Sequence, residues 1–406
     1  MSTGHSTLRN GAWIKHPSAN PNSPYTYTPE QLQLYLIEIG FISPNVSAED
    51  VKEKVKPTYK NLVKILRAHL CRFAFENSEM HYSPTHEVDV TPQGVFKKLV
   101  EEKNGGSLCF GTNGLLYAVL RGLGYRTYSG AGRVNFSTTS RPTYGPLAHM
   151  VLFVQPFVDY TLDGEPIQDP SQANNQTYLL DTGFGSPGLA RPILLVEDEN
   201  DGEGVLGVNR TERHRLRRGT GDGDNIVSSL GPSPEEGSNY SAQVEVELGH
   251  WVVQVWHEKE GEVGSNSADA QKEWRIVFTF SETEYFLQDY VKSSTATCHT
   301  KEGVFWNHIL GCRFAFPGPG DLSASTPVTT GKPLVDDDEY DDGAELIRIT
   351  YFFNELRRQV GGNKSEVIKK VESEKDRVEV LREAFGARYD LDEAVENVKG
   401  RKPAFA

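Results

Sequence analysis

One stretch limits what this chain can be more than any other: Lys103 to Tyr125, KNGGSLCFGTNGLLYAVLRGLGY. A Gly-Gly turn runs into Cys109. An apolar segment follows, with Leu115, Leu116, Val119, Leu120 and Leu123 on one broad face and Gly124 as its stop. The spacing predicts a buried helix headed by a cysteine. Unpaired N–H groups and the dipole at a helix start favour negative charge. A thiolate is stabilised at such a place, and the thiolate is the nucleophile. Counting back from Leu116 puts Cys109 on the buried face, pointing to neighbouring elements where a base could stand. A cysteine that is simply buried fits the same position, so position alone does not decide.

Four cysteines, Cys71, Cys109, Cys298 and Cys312, are spread over 406 residues. That is too few for a disulfide scaffold. The first residues lack the apolar core of a signal peptide, and no run of 18 apolar residues occurs. A cytoplasmic protein with free thiols and no membrane partner is expected. The net charge of −14, without a large basic block, argues against nucleic acid as a partner. No histidine has metal-ligand spacing with a cysteine, so no metal is expected. Cys71, Cys298 and Cys312 read as structural.

Along the chain, 1–26 reads as a flexible arm. Residues 27–124 read as a helical unit, with helices over 28–40 (capping box Thr28 and Gln31), 58–73, 91–103 and from Cys109 onward. The pattern then changes to β-branched and aromatic runs bounded by Gly and Pro, so 125–280 reads as a β-barrel or strongly curved sheet. Its acidic, Gly-rich part near 197–239 reads as a solvated insertion, GTGDGD (219–224) included. The basic cluster RHRLRRG (213–219) reads as a solvated edge, with contact to phosphates as the less favoured option. Residues 281–396 mix short helices and strands around a low-complexity loop near 315–343, expected to be mobile. A strand over 346–353, a helix over 373–386 and a tail over 397–406 complete the order.

A base for Cys109 must come from elsewhere. His149 opens the apolar strand HMVLFVQ, and Asp181 ends TYLLD before a tight TGFG turn. Each alone is an ordinary strand-end residue. Cysteine at a helix start, histidine at a strand edge and aspartate at the end of a later strand is the chain order of papain-like thiol enzymes. The carboxylate would orient the imidazole, and the imidazole would hold the thiolate.

Four ordered motifs, FENSEMH (75–81), NGGSLCFGTN (104–113), LAHMVLFV (147–154) and LLDTGFG (179–185), make the chain from about Tyr27 to Leu391 resemble the arylamine N-acetyltransferases, as a divergent, fungal-type member. The resemblance implies an α+β fold of three domains, helical bundle, β-barrel and α/β lid, around a papain-like cysteine-enzyme core. It implies Cys109, His149 and Asp181 as catalytic triad, and Phe75, Phe184 and Val134 as lining of a flat acceptor pocket, positions that ordinary core packing would also explain. Gly183 and Gly185 allow close backbone approach near the triad, where the coenzyme A thioester would lie. The implied reaction is a ping-pong transfer of an acetyl or malonyl group from acetyl-CoA or malonyl-CoA to an aromatic amine, aminophenol or hydrazine, with no permanently bound cofactor. Three departures stand out. Two residues, Ser107 and Leu108, separate Gly-Gly from Cys109 where the family has one, and Gly111 replaces an acidic residue. Asn104 replaces the arginine that pairs in the family with the counterpart of Glu76, so Lys103 or another cation is expected beside Glu76. A thiol hydrolase and a non-catalytic binding relative are the alternatives.

Overall fold

The computed structural model describes residue 14 and residues 23–137, 141–156, 176–197, 203–219, 250–258, 273–325, 333–337, 340–341, 343–361 and 365–405. Most of the acidic insertion near 197–239, with GTGDGD beyond Gly219, lies outside them.

Helices form where the sequence supplies their ends. Helix α1 (Pro29–Glu38) begins with the Thr28–Gln31 capping box and Pro29 at its first position. Helix α2 (Tyr59–Arg72) is capped by the Thr58 hydroxyl, which accepts from the Asn61 amide. Helix α3 (Cys109–Leu123) is closed by Gly124 in the left-handed conformation, φ 97°. The helix expected over 91–103 starts on Thr91 as foreseen, yet runs only over Pro92–Phe96 before a π turn at Lys97–Glu101. That wide turn brings Lys98 to Glu79 (2.6 Å) and to the Gly106 carbonyl (2.7 Å). Lys98 thus braces the turn that leads to Cys109, a tertiary reason for the π turn that no apolar period announces.

Among the described residues thirteen strands follow in chain order: β1 (Phe75–Glu76), β2 (Arg126–Asn135), β3 (Tyr144–Gln155), β4 (Tyr178–Leu180), β5 (Ile193–Leu194), β6 (Val205–Leu206), β7 (Glu212–Arg218), β8 (His250–His257), β9 (Arg275–Ser281), β10 (Gly311–Ala315), β11 (Ile347–Phe352), β12 (Glu355–Gln359) and β13 (Ser365–Lys370). Eight form one curved antiparallel sheet in the order β5-β4-β3-β2-β9-β8-β7-β6. Its inner face is packed with Val151, Phe153, Leu179, Trp251, Phe278 and Phe280. Met150, Leu152 and Val154, the alternate residues of β3, face the helical core instead. Strand β3 is therefore apolar on both faces and reads as a continuous run.

Strand β7 corrects the reading of 213–219 as a solvated edge. Glu212, His214 and Leu216 alternate into the interior and are buried, which splits the basic run across two faces of the sheet. Arg218 stacks over Trp251 (3.7 Å) and reaches Glu282 (3.5 Å).

The other sheet has the order β1-β10-β11-β12-β13. Helix α4 (Leu287–His299) precedes β10, and helix α5 (Glu374–Phe385), capped by Ser373 and stopped by left-handed Gly386, packs on the sheet through Val378, Leu381 and Phe385. The described part of the 315–343 loop is tied to the bundle. The buried Lys64 ammonium donates to the carbonyls of Leu334 (2.8 Å) and Asp337 (2.7 Å), while Arg67 holds the Tyr340 hydroxyl (3.0 Å) and the Ala344 carbonyl.

Candidate active site

Three elements converge on one point. Helix α3 brings Cys109 as its first residue, β3 brings His149, and the turn after β4 brings Asp181. All three are buried. His149 Nε2 lies 2.6 Å from Asp181 Oδ2. With Nε2 occupied, the interaction of the ring with Cys109 falls to Nδ1. Burial alone would lower the basicity of His149. The Asp181 carboxylate and the Cys109 side chain overcome it and push His149 up to about 10. A protonated imidazole beside the sulfur is the part of a thiolate–imidazolium pair that His149 supplies. Burial drives Cys71 and Cys312 up to about 12 and raises Cys298, so they are poor nucleophiles.

Asp181 is held on both oxygens. Oδ1 accepts from Asn113 Nδ2 (3.0 Å) and from the Gly183 amide (2.8 Å). Asn113 also donates to the Met150 carbonyl (2.8 Å) and accepts from the Thr182 amide (2.8 Å) and hydroxyl (3.0 Å). One buried amide on α3 thereby fastens β3 and the turn after β4 to the helix that carries the cysteine. Sequence reading gave Asn113 no role. Its signal was there: a lone amide four residues after Cys109 inside an apolar helix needs partners.

The proposed pocket residues fall into two groups. Phe184 meets the His149 ring edge-on at 5.4 Å. Phe278 on β9, which sequence reading did not single out, meets it at 5.0 Å and stacks on Phe184 at 5.6 Å. Val134 is half-buried and pairs with Phe278 across β2 and β9. Phe75 stands behind the turn, in edge contact with Phe305 at 6.3 Å.

The two glycines have steric reasons of their own. A Cβ on Gly183 would lie 2.4 Å from the Cys109 Cα. Gly185 has φ +80°, and a Cβ there would lie 2.8 Å from Phe75.

The departures before Cys109 are absorbed locally. Ser107 bridges to Phe75, its amide donating to the Ala74 carbonyl (3.1 Å) and its carbonyl accepting from the Glu76 amide (3.0 Å). A Cβ on Gly111 would sit 2.1 Å from Ser107 Oγ, so the small residue at 111 makes the space that Ser107 fills. Glu76 is buried and accepts from the amides of Gly106 (3.0 Å) and Ser78 (2.6 Å). Its nearest cation is Lys98 at 4.0 Å, while Lys103 turns away to Glu38 at 2.6 Å. The expected substitution exists, through Lys98 and backbone amides rather than Lys103.

Among the described residues no cluster of His, Cys, Asp and Glu could hold a metal ion, and no helix is long and apolar enough to cross a membrane.

Comparison with known proteins agrees with this geometry. A family model described as N-acetyltransferase matches residues 58–218, which span all three converging residues. The N-malonyltransferase FDB2 of Gibberella moniliformis is 26% identical over 387 residues, covering 90% of this chain and 91% of that protein. The arylamine N-acetyltransferase of Escherichia coli is 26% identical over 255 residues, 63% of this chain and 66% of its own. Among solved structures, the arylamine N-acetyltransferase of Salmonella typhimurium superposes with a TM-score of 0.58 at 17% identity, covering 92% of this chain and 99% of that one. The Mycobacterium marinum enzyme in complex with CoA gives 0.56 at 20% identity, covering 92% and 100%.

Fold and sequence together define an acyltransferase. Over most of its length the chain is similar to fungal N-malonyltransferases and to arylamine N-acetyltransferases.

Proposed function

We propose that this protein transfers an acyl group, acetyl or malonyl, from coenzyme A to an aromatic amine, aminophenol or hydrazine through a thioester on Cys109. The observation that carries the reading is His149 held between Asp181 and Cys109, with its basicity raised by both. The Cys109 thiolate attacks the thioester carbonyl of the donor. The carbon–sulfur bond to coenzyme A breaks, and the acyl group passes to Cys109. The first-turn amides of Gly111 and Thr112 are spent on the Leu108 carbonyl (2.9 and 3.1 Å). Those of Cys109 and Phe110 remain to receive the oxyanion.

Acylation also resets the base. A thioester carries no charge, so the part of the His149 shift that comes from Cys109 is lost on acylation. His149 becomes less basic, gives its proton to the departing coenzyme A thiolate and can then take one from the attacking amine, whose collapse onto the acyl carbon expels the Cys109 thiolate. One residue thus holds a thiolate in the first half-reaction and acts as base in the second. Phe184, Phe278 and Val134 supply a flat, apolar acceptor wall with Phe75 behind it, and the missing side chains of Gly183 and Gly185 let the turn close on Cys109 and Phe75. Handling of foreign or plant-derived arylamines in the cytoplasm fits this chemistry.

Steady-state release of free coenzyme A from acetyl-CoA and from malonyl-CoA, with and without 2-aminophenol, tests the reading. Ping-pong kinetics with release that requires the amine is the expected result. Release at the same rate without amine would make the protein a thiol hydrolase. No release from either donor would make it a non-catalytic relative.

A further inference from the structure

The approach to Cys109 is held residue by residue. The Asn104 amide donates to the Lys98 carbonyl (2.9 Å), and the Gly105 amide donates to the Gly386 carbonyl (3.0 Å). Ser107 is paired through both backbone groups, with Ala74 and Glu76. The side-chain oxygen of Asn104 accepts from the Arg388 amide (2.7 Å), and this residue brings no charge to Glu76.

Gly106 differs from its neighbours, because side chains hold both of its backbone groups. Its amide donates to Glu76 Oε1 (3.0 Å), and its carbonyl accepts from Lys98 Nζ (2.7 Å). The same ammonium donates to Glu79 Oε2 (2.6 Å) and stands 4.0 Å from Glu76 Oε1. Gly106 is buried, and a Cβ on it would lie 2.1 Å from the Ala74 carbonyl oxygen, so the turn runs flush against the chain that enters β1.

Only Ser107 and Leu108 separate this clamp from the nucleophile. Leu108 is extended at the helix start (φ −66°, ψ 172°), and its carbonyl receives the Gly111 and Thr112 amides (2.9 and 3.1 Å). Cys109 is closely seated. Its Sγ lies 3.8 Å from the Ala148 carbonyl, and Gly183 packs on its Cα. Beyond the cysteine, Asn113 anchors α3 to β3 and to Asp181. The first turn of α3 is thereby fixed on both sides, by Asn113 after Cys109 and by Gly106 before it.

We infer that Lys98 is a positioning residue for the nucleophile, holding the Gly106 carbonyl so that the first turn of α3 presents Cys109 and the free amides of Cys109 and Phe110 to the donor thioester. It touches no reacting atom. The acceptor wall of Phe184, Phe278 and Val134 stands on other elements, so the effect of Lys98 falls on the rate of acyl transfer to Cys109 and not on amine binding. The inference rests on the two-step reading of the function.

Lys98→Met alone would also strand the buried Glu76 carboxylate. The test therefore uses two further variants. Lys98→Met with Glu76→Gln removes the charge yet leaves an amide oxygen that can accept from Gly106, and Lys98→Arg keeps a cationic donor. Acylation of Cys109 at saturating acetyl-CoA or malonyl-CoA is followed by intact mass after rapid mixing, with circular dichroism to check folding. The 2-aminophenol concentration that half-maximally discharges the preformed adduct reports amine binding. Expected is acylation slowed about tenfold in the double variant, with the half-maximal amine concentration within about twofold of wild type, since small misplacements of reacting groups act on this scale. Lys98→Arg should recover most of the rate. Acylation within about twofold of wild type in the double variant would overturn the inference and leave Lys98 as a counter-charge for Glu76. A rise in the half-maximal amine concentration in step with the fall in rate, or failure of Lys98→Arg to recover, would overturn it as well. Absence of any Cys109 adduct in the wild type would instead remove the two-step reading, and the inference with it.

Discussion

Asp181 can orient His149 only while its other oxygen is held, and that task falls to Asn113. In Asn113→Ala the Thr182 amide and hydroxyl lose their buried acceptor, which costs about 1–3 kcal/mol. Turnover should fall by ~10²-fold or more while the protein stays folded, by analogy with triads whose orienting group is disturbed. Circular dichroism beside a turnover assay checks both. His149 offers a second test at this scale. Its basicity in the folded protein, about 10, lies above the ordinary value of 6.5. The stabilisation it contributes is therefore fully present below pH 6.5 and is lost as pH rises through 10. Cys109→Ala removes one of its supports, so imidazole NMR should place the His149 titration in that variant clearly below that of the wild type. An unchanged titration would mean that Cys109 does not hold the proton on His149.

At the scale of elements, the sequence was informative wherever ends are written locally. Thr28, Thr58, Thr91 and Ser373 start helices, and Gly124 and Gly386 stop them, as their side chains or backbone freedom require. Cys109 and Asp181 were legible for the same reason, since each sits at the end of an element, whereas His149, expected to open its strand, stands inside β3, which already begins at Tyr144 because the pairing with β2 reaches back to that residue. What was not legible depends on partners far along the chain. The π turn at Lys97–Glu101 exists because Lys98 must reach Glu79 and Gly106. Phe278 looks like any strand aromatic until β9 is set beside β2. The basic run 213–218 becomes a two-faced strand only when β7 pairs with β8. The unusual approach to α3 can be tested here. Gly111→Ala should destabilise by about 1–3 kcal/mol, because its Cβ meets Ser107 Oγ. Adding Ser107→Gly should recover a large part, a coupling that chemical denaturation of the four-member cycle measures directly. Additive effects would mean that the two departures from the family pattern are unrelated.

Across the whole molecule, the two sheets and the helical core meet at the turn after β4, and buried polar ties run between them. Lys64 and Arg67 fasten the long segment before β11 to α2, and Glu212 with Arg348 joins one sheet to the other. None of these ties was visible in the sequence, because their partners are separated by more than a hundred residues. The tie at Lys64 is structural and remote from the triad. Lys64→Met removes the ammonium donor from the Leu334 and Asp337 carbonyls, which keep only their backbone partners, and should lower stability by about 1 kcal/mol, with the rate of Cys109 acylation unchanged at a temperature where the variant is folded. Slower acylation in the folded variant would show that the tie reaches the site.

The central claim is that Cys109 carries the acyl group. Intact-protein mass after brief mixing with acetyl-CoA or malonyl-CoA, for wild type and Cys109→Ser, tests it most directly. The account predicts one acyl adduct on the wild type, none that 2-aminophenol can discharge on Cys109→Ser, and loss of the wild-type adduct when 2-aminophenol is added. A folded wild type that takes no adduct from either donor, or an adduct that persists as a dischargeable thioester in Cys109→Ser, would contradict it.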